Sequence, residues 1–330
     1  MKRLIVGDLH FGVNEGNKKF LDYQKKSLQW IIELSKDPDI YSVDFLGDIF
    51  DNRNHLSHSS IDLFNWFFDE IGSKVGIIIV GNHDCPYKNT NKNNSVSLLN
   101  QKYFLADHEI IEVNDRVYVP WVNKENQEDF TIALKKTKAK ICFGHFDISG
   151  FDMIKGVTSK QDSISRDLLR KFDQVISGHY HNFSRKENII YIGSPYQINF
   201  SDLGVKKFVA TLENSNLEFI ENPYVYFVNE KIESEDVLPD IDFLIDKKVK
   251  LDINCERTIK IEKWLAKLIE VNNDVKINDN FSFISVNEKN VNVKTENFLD
   301  MWKDFLEEGI EDKEELNDLF MEEYQKLCKI

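Results

Sequence analysis

The sequence lacks the features that would place a protein in a membrane or send it out of the cell. None of its apolar runs approaches the roughly 18 residues that a membrane-spanning helix needs. Residues 1–3 lead into a short strand-like run and not into the apolar core of a signal peptide. The few cysteines have neither metal-site nor disulfide spacing; they are Cys85, Cys142, Cys255 and Cys328. We therefore expect a cytoplasmic protein with reduced thiols, in the host cytoplasm if its source is viral.

Positive charge is also scarce, since 42 Lys and Arg stand against 56 Asp and Glu, for a net charge of −14. Nucleic-acid-binding proteins usually carry a basic excess, so the composition alone argues against a nucleic-acid ligand. The shortage of positive charge is, however, unevenly distributed along the chain. Residues 1–230 hold 27 basic against 31 acidic side chains, net −4, whereas residues 231–330 hold 15 against 25, net −10. The objection is therefore weaker for the first 230 residues.

The first 230 residues alternate short apolar runs with longer amphipathic stretches, which is the pattern of layered α/β architecture. Stretches near 18–36 and 57–73 predict helices. Further strand-rich segments after residue 181 predict a second sheet packed on the first. The buried strands of the first part are expected at 4–6, 43–46, 77–80, 141–143 and 174–176, and those of the second at 189–192, 208–212 and 224–228.

Each of the first five predicted strands ends at a glycine that polar residues follow. The carboxyl ends of strands in an open α/β sheet face one crevice, so groups far apart in sequence converge there. Glycine lets the backbone leave a strand sharply. We therefore expect one composite site, built from Gly7-Asp8-Leu9-His10, Gly47-Asp48, Gly81-Asn82-His83-Asp84, Gly144-His145 and Gly178-His179-Tyr180-His181.

These residues are the donor mixture of a dinuclear metal hydrolase. Carboxylate oxygen bridges two cations, and imidazole nitrogens fill other positions while leaving room for water and substrate. In our hypothesis Asp48 bridges the ions. One ion is then held by Asp8, His10 and His181, and the other by Asn82, His145 and His179.

His83 has no ligand role in this hypothesis, so we predict that it is the general acid to the leaving oxygen, with Asp84 orienting its ring. The remaining histidines are expected on the surface; they are His55, His58 and His108.

The ordered motifs resemble the calcineurin-like metallophosphoesterase superfamily over residues 1 to about 230. The resemblance implies an α/β fold, a four-layered β-sandwich flanked by helices, with two divalent metal ions, for which we expect Mn²⁺. The segments Tyr191-Ile192-Gly193-Ser194-Pro195 and Asn199-Phe200-Ser201-Asp202 are similar to the DNA-repair branch, the SbcD and meiotic-recombination-eleven nucleases. Within that branch the motifs from Gly47 to Asp51, from Asn82 to Asn89 and from Gly144 to Phe146 most resemble the phage recombination endonuclease subunits.

That branch implies a Mn-dependent DNA exo/endonuclease subunit that acts as a homodimer with an SMC-like ATPase in DNA end processing, recombination and repair. It also implies three parts: a nuclease domain at 1–230, a small α+β capping domain at 240–290 that assists DNA binding, and a helical segment at 296–330 that docks on the ATPase. We read Glu233 to Asp242 as the linker, and expect a strand near 248–254, a helix near 256–271 and a strand near 281–286 in the cap. The last segment holds twelve acids against four lysines, which suits a basic partner surface better than DNA. Two helices that pack on their own domain remain the alternative.

DNA contact is predicted for the loop that follows His83, because lysine and asparagine donors hold phosphates without reading sequence. The candidates are first Lys88, Asn89 and Lys92, and then Asn91, Asn93 and Asn94 of the same loop. A solvated loop is the alternative. Many cellular relatives have histidine where this chain has Asp51, and Arg53 and His58 are the candidates to replace it.

Two other functions stay open at this stage. A stand-alone metallophosphatase or phosphodiesterase acting on small molecules or proteins would use the same ions, but it does not need the Gly193-Ser194-Pro195 segment or the helical tail. A non-catalytic scaffold would be expected to have lost metal ligands, and here every expected ligand is present.

Overall fold

The computed structural model describes residues 2–99, 102–154, 157–159 and 162–280. The β-strands of these ranges are β1 Lys2–Val6, β2 Ile40–Phe45, β3 Val75–Ile79, β4 Phe104–Ala106, β5 Ile111–Val113, β6 Arg116–Val119, β7 Ile141–His145, β8 Asp152–Ile154, β9 Val157–Thr158, β10 Gln174–Gly178, β11 Ser184–Lys186, β12 Ile189–Tyr191, β13 Phe208–Glu213, β14 Asn216–Glu221, β15 Phe227–Ile232, β16 Lys248–Ile253 and β17 Val275–Asp279. The α-helices are α1 Lys18–Ser35, α2 His58–Ile71, α3 Ser95–Leu99, α4 Gln127–Lys136, α5 Arg166–Leu169, α6 Ile241–Leu244 and α7 Ile259–Val271.

Two six-stranded sheets form the larger part. The first has the order β14-β13-β1-β2-β3-β4, in which β1 to β4 are parallel and the hairpin β13-β14 is added antiparallel beside β1. The second has the order β11-β12-β10-β7-β6-β5, with β12, β10, β7 and β6 parallel. Central strands are buried on both faces, which is why they read as continuous apolar runs in the sequence. The five strands predicted for the first part of the chain are confirmed.

Three apolar clusters define four layers. The inner faces of the two sheets meet in a cluster that includes Ile5, Phe143 and Ile176. Helices α1 and α2 cover the outer face of the first sheet, and α4 and α5 lie against that of the second. The expected four-layered sandwich flanked by helices is therefore confirmed.

Helices α1 and α2 start where polar side chains satisfy free backbone N–H groups. The Asn17 side chain accepts a hydrogen bond from the Phe20 N–H at 3.0 Å, and Ser57 accepts one from the Ser60 N–H at 3.1 Å. Both helices match their predicted ranges within two residues.

The small domain begins earlier than expected. Strand β15 pairs in parallel with β16, and β17 completes a three-stranded sheet on which α7 packs. Residues 224–228, predicted for the large sheets, instead lead into this sheet, and residues 233–242, read as a linker, connect two of its elements. The third strand lies at Val275–Asp279. The strand expected near 281–286 and the helical segment 296–330 lie outside the described residues. Both domains belong to one compact unit, Met1–Asn278.

No helix in the described ranges is both long and apolar enough to span a membrane.

Candidate active site

The predicted site residues meet at the carboxyl ends of β1, β2, β3, β7 and β10, where the two sheets share one edge. Asp8, His10, Asp48 and His145 are almost completely buried. Contacts across the two sheets join them: the His179 N–H donates to Asp8 Oδ1 at 2.9 Å, and His145 Nδ1 lies 3.6 Å from the same oxygen. Residues separated by 171 positions therefore lie side by side.

The backbone is strained at three of these residues. His10, Asp48 and His179 have positive φ angles of 46°, 48° and 93°. A residue with a side chain reaches this region only at a cost of about 1–3 kcal/mol, and such strain persists where surrounding structure imposes it, most often at functional sites. Each of the three follows a strand end closely, so the strain aims the side chain at the shared edge.

The glycines before the site residues also make room for them. A Cβ atom at Gly47 would lie 2.5 Å from Nδ1 of His145, and one at Gly178 would lie 2.6 Å from Oδ1 of Asp8. Real side-chain carbons do not approach other atoms so closely. Glycine at the strand ends is therefore required by the packed site as well as by the sharp turn.

Three donor atoms converge on one side of the site. Asn82 Oδ1 lies 2.9 Å from His145 Nε2 and 2.8 Å from His179 Nδ1. Asp48 Oδ1 joins the group at 3.4 Å from His145 Nε2. The ligand atoms of Asp48, His145 and His179 all lie within 4.8 Å of one another, a spacing that one metal ion can bridge.

A second group of donors lies on the other side of Asp48. The Nε2 atoms of His10 and His181 are 3.0 Å apart, and Asp48 Oδ2 lies 3.7 Å from the same nitrogen of His10. Nitrogen ligands about 2.1 Å from an ion at right angles stand about 3 Å apart, so the pair has ligand spacing. Asp8 Oδ2 is buried without a hydrogen-bond partner. A buried carboxylate oxygen left unpaired in this way fits a metal ligand.

Asp48 therefore stands between two donor groups, with one oxygen turned towards each. The chemistry and spacing of these donors fit divalent cations. The assignment of Asp8, His10 and His181 to one ion and of Asn82, His145 and His179 to the other, with Asp48 shared, stays a prediction.

A backbone carbonyl contacts Nδ1 of His145 and a carboxylate contacts Nδ1 of His10, the ring nitrogens that face away from the donor groups. His145 Nδ1 donates to the carbonyl of Leu46 at 2.8 Å, which leaves its Nε2 for a metal. Asp51 Oδ1 lies 3.2 Å from His10 Nδ1, on the side of the ring away from His181. Asp51 was not among the predicted site residues. Its signal in the sequence was its position three residues after the predicted bridging ligand Asp48.

His83 is fixed beside Asp48. Its backbone N–H donates to Asp48 Oδ1 at 2.7 Å, and its ring Nδ1 lies 2.6 Å from the Asp51 carbonyl oxygen. Because a carbonyl only accepts, Nδ1 carries the proton and Nε2 is left for other partners.

Asp84 does not contact the His83 ring, contrary to the role that we expected for it. Its two oxygens accept hydrogen bonds from the backbone N–H groups of Phe50 at 2.9 Å and Gly81 at 2.8 Å. It therefore ties together the loops that follow β2 and β3. Asp51 supplies the contact to His83 instead.

Burial and mutual charge perturb the ionisable groups of the site. Burial raises the pKa of Asp8 to about 6, although the charge of His145 opposes it. Burial also disfavours charge on Asp48, but the imidazoles of His145 and His10 outweigh it and hold its pKa well below the usual range. For His145, Asp48 overcomes the effect of burial and raises the pKa to about 9. Burial and the charge of His145 lower the pKa of His179 to about 4.

The loop predicted to touch DNA is anchored from beneath. Asn91 and Asn94, also predicted to touch DNA, are buried instead. Asn91 donates to the carbonyls of Asp107 and Trp121, at 2.9 and 2.7 Å, and Asn94 donates to the carbonyl of Asn91 at 3.1 Å. The predicted contact residues Lys88, Asn89 and Lys92 are exposed, and Lys92 Nζ pairs with Glu125 at 2.5 Å. The loop is a fixed element whose outer face carries the three side chains.

The three histidines expected on the surface are all exposed, as predicted: His55, His58 and His108.

A four-layered α/β sandwich with buried carboxylate, amide and imidazole donors at its strand ends defines a metallophosphoesterase. The sequence profile of the family described as calcineurin-like phosphoesterase matches residues 1–183, and the chain belongs to this family. The protein is thus a metal-dependent phosphoesterase.

Relatives are found among nucleases. The chain is 30% identical over 238 residues to exonuclease subunit 1 of Enterobacteria phage T4, covering 67% of this chain and 68% of that protein. It is 24% identical over 300 residues to the SbcD component of the nuclease SbcCD from Staphylococcus saprophyticus, covering 71% and 75%. Among solved structures, Yfce, a phosphoesterase from E. coli, aligns with a TM-score of 0.36 at 12% identity, over 68% of this chain and 94% of that one.

Proposed function

We propose that the protein is a DNA exo/endonuclease subunit that hydrolyses phosphodiesters with two Mn²⁺ ions. The observation that carries the proposal is the position of Asp48, with one oxygen turned towards each donor group and with His83 held against it. Two relatives whose names are those of nuclease subunits support DNA as the substrate.

Two divalent ions would supply the activated nucleophile and neutralise the charge that develops on the phosphate. The remaining work falls to the chain. Its two donor groups would hold the ions, and the strained backbones of His10, Asp48 and His179 keep the donors in place. His83 would act in its imidazolium form: Nδ1–H donates to the Asp51 carbonyl, and Nε2–H faces the leaving oxygen and delivers its proton there, which leaves a neutral ring.

We further propose that the chain works with an SMC-like ATPase partner, through residues 296–330, and that it forms a homodimer. The acidic charge of that segment supports a basic partner surface. Both relatives are named as single subunits of a nuclease, which supports a multi-subunit enzyme. The small domain, residues 227–279, would guide DNA, as would Lys88, Asn89 and Lys92 on the exposed face of their loop.

Cleavage of linear double-stranded DNA by the full chain in Mn²⁺ tests the nuclease proposal. We expect Asp48→Ala and His83→Ala each to abolish cleavage, because the first removes the shared ligand and the second the proton donor. His108→Ala is the matched control, since this histidine is exposed and outside the site. Cleavage that survives both site substitutions would disprove the mechanism. A nucleotide monoester or phosphopeptide turned over much faster than DNA would instead favour a stand-alone phosphatase.

A further inference from the structure

Arg53 follows the bridging-ligand candidate Asp48 by five residues, and within the described ranges its guanidinium donates no hydrogen bond to a side chain or carbonyl. Its side chain is half-buried, and Nη1 is fully buried without a hydrogen-bond partner. Within the described ranges, no carboxylate forms an ion pair with it. Buried polar atoms are nearly always hydrogen-bonded, because a buried N–H without a partner has lost its hydrogen bond to water and gained none in return. An unpaired N–H of this kind points to a ligand that is an anion.

The guanidinium lies near Trp121, whose backbone pairs with the strand end that leads to the Asn82-His83 turn. Its carbon Cζ lies 5.9 Å from the ring centroid of Trp121, and the backbone N–H of Trp121 donates to the carbonyl of Val80 at 2.9 Å, just before the Asn82-His83 turn. Two residues before Arg53, the carbonyl of Asp51 accepts the hydrogen bond from His83. Arg53 is therefore connected to the His83 turn in two ways, through the backbone of Asp51 and through the pairing of Trp121 with Val80.

The neighbouring groups leave Arg53 free to bind substrate. The Asp51 carboxylate is directed at His10, and the Asp84 carboxylate is occupied by two backbone N–H groups. His58, which follows Arg53 by five residues, is exposed at the first position of α2.

We propose that Arg53 binds a non-bridging phosphate oxygen of the DNA strand and so positions the scissile phosphodiester for protonation by His83. The proposal rests on the proposed nuclease function. A planar guanidinium with free N–H groups suits phosphate because it can form two parallel hydrogen bonds, and the face of Trp121 holds its plane in place. Arg53 is thus a substrate-positioning residue, and it takes no part in holding metal.

Steady-state kinetics of Arg53→Met test the proposal, with Arg170→Met as the matched control because Arg170 is exposed and pairs only with surface acids. In Mn²⁺, with linear DNA, we expect kcat/KM to fall about 10- to 100-fold in Arg53→Met, the range for one charge-assisted hydrogen bond, and to stay unchanged in the control. Arg53→Lys should recover part of the loss. Inhibition by inorganic phosphate should weaken in Arg53→Met by a similar factor, while calorimetric Mn²⁺ binding stays the same.

An Arg53→Met enzyme with wild-type kcat/KM and wild-type phosphate inhibition would overturn the proposal, and so would a loss of Mn²⁺ binding equal to the loss of activity. If the methionine variant does not fold, Arg53→Gln carries the same comparison. The simple diester bis(p-nitrophenyl) phosphate separates this proposal from the nuclease proposal. Arg53-dependent hydrolysis of that diester by a chain that leaves DNA intact would refute DNA as substrate while retaining Arg53 as the phosphate ligand.

Discussion

Replacing Lys207 with methionine should destabilise both the fold and the loop that bears His181. Lys207 Nζ is buried and donates to Asp202 Oδ1 at 2.6 Å, to the His181 carbonyl at 2.8 Å and to Ser194 Oγ at 3.1 Å. Burial lowers the pKa of this lysine, although Asp202 opposes the shift. The ammonium group thus joins a predicted metal-ligand loop to the Gly193-Ser194-Pro195 segment.

The magnitude follows from burial. The side chains of Lys207 and Asp202 are 3% and 2% exposed, so solvent neither screens the pair nor replaces a lost partner. Methionine fills similar volume but leaves Asp202 as an uncompensated buried charge and the His181 carbonyl with one donor fewer. Breaking a buried pair in this way costs about 3–5 kcal/mol. The neighbouring pair Lys206–Glu221, at 2.7 Å, is 69% and 47% exposed and should contribute only about 0–1 kcal/mol.

Denaturant unfolding of Lys207→Met against the adjacent control Lys206→Met measures this difference. We expect a loss of about 3–5 kcal/mol for the first and less than about 1 kcal/mol for the second. Calorimetry should also show weaker Mn²⁺ binding in Lys207→Met, because the His181 carbonyl loses one of its donors and keeps only those of Ser194. If the two variants are equally stable, the buried pair does not have the role that its geometry assigns.

Two further predictions concern groups behind the metal ligands. Asp48 and Asp8 overcome the effect of burial and raise the pKa of His145 to about 9, so a cation that binds Nε2 below that pH must displace a proton. Mn²⁺ affinity should therefore fall about tenfold per pH unit as the pH drops from 9 to 7. Calorimetry in buffers of different ionisation enthalpy should detect the released proton. A pH-independent affinity would contradict this. Asp51→Asn keeps the backbone carbonyl that holds His83 but removes the carboxylate charge 3.2 Å from His10. Metal affinity should therefore fall about 10- to 100-fold. The control Asp152→Asn, at an exposed position of β8, should leave metal affinity unchanged.

The sequence predicted the strands, and it marked candidate site residues at their ends, because both depend on local pattern. Continuous apolar runs mark strands buried on two faces, and a glycine followed by a metal-type side chain marks each strand end. Such patterns do not say which sheet a strand joins. Strand β13 pairs antiparallel with β1 of the first large sheet, and β15 pairs with β16 of the three-stranded sheet. Both are apolar runs that could join either kind of sheet, so only the tertiary pairing shows which sheet each belongs to.

The supporting residues of the site were harder to predict. Asp84 and Asp51 follow glycine-containing motifs at similar distances, and only the turns show that Asp51 contacts His10 and His83. Lys207 stands beside Lys206 in a polar stretch, where both read as surface residues, yet one is buried with a carboxylate. Contacts between residues far apart in the chain leave no periodic signal in the sequence.

The number of Mn²⁺ ions bound by the full chain tests the central claim most directly. Titration calorimetry, followed by electron paramagnetic resonance, should show two ions per chain with magnetic coupling between them, since Asp48 directs one oxygen to each donor group. Asp48→Ala should abolish the magnetic coupling, and Asn82→Ala should weaken the binding of one ion more than that of the other. Binding of a single ion, or two uncoupled ions that Asp48→Ala leaves unchanged, would contradict a dinuclear site.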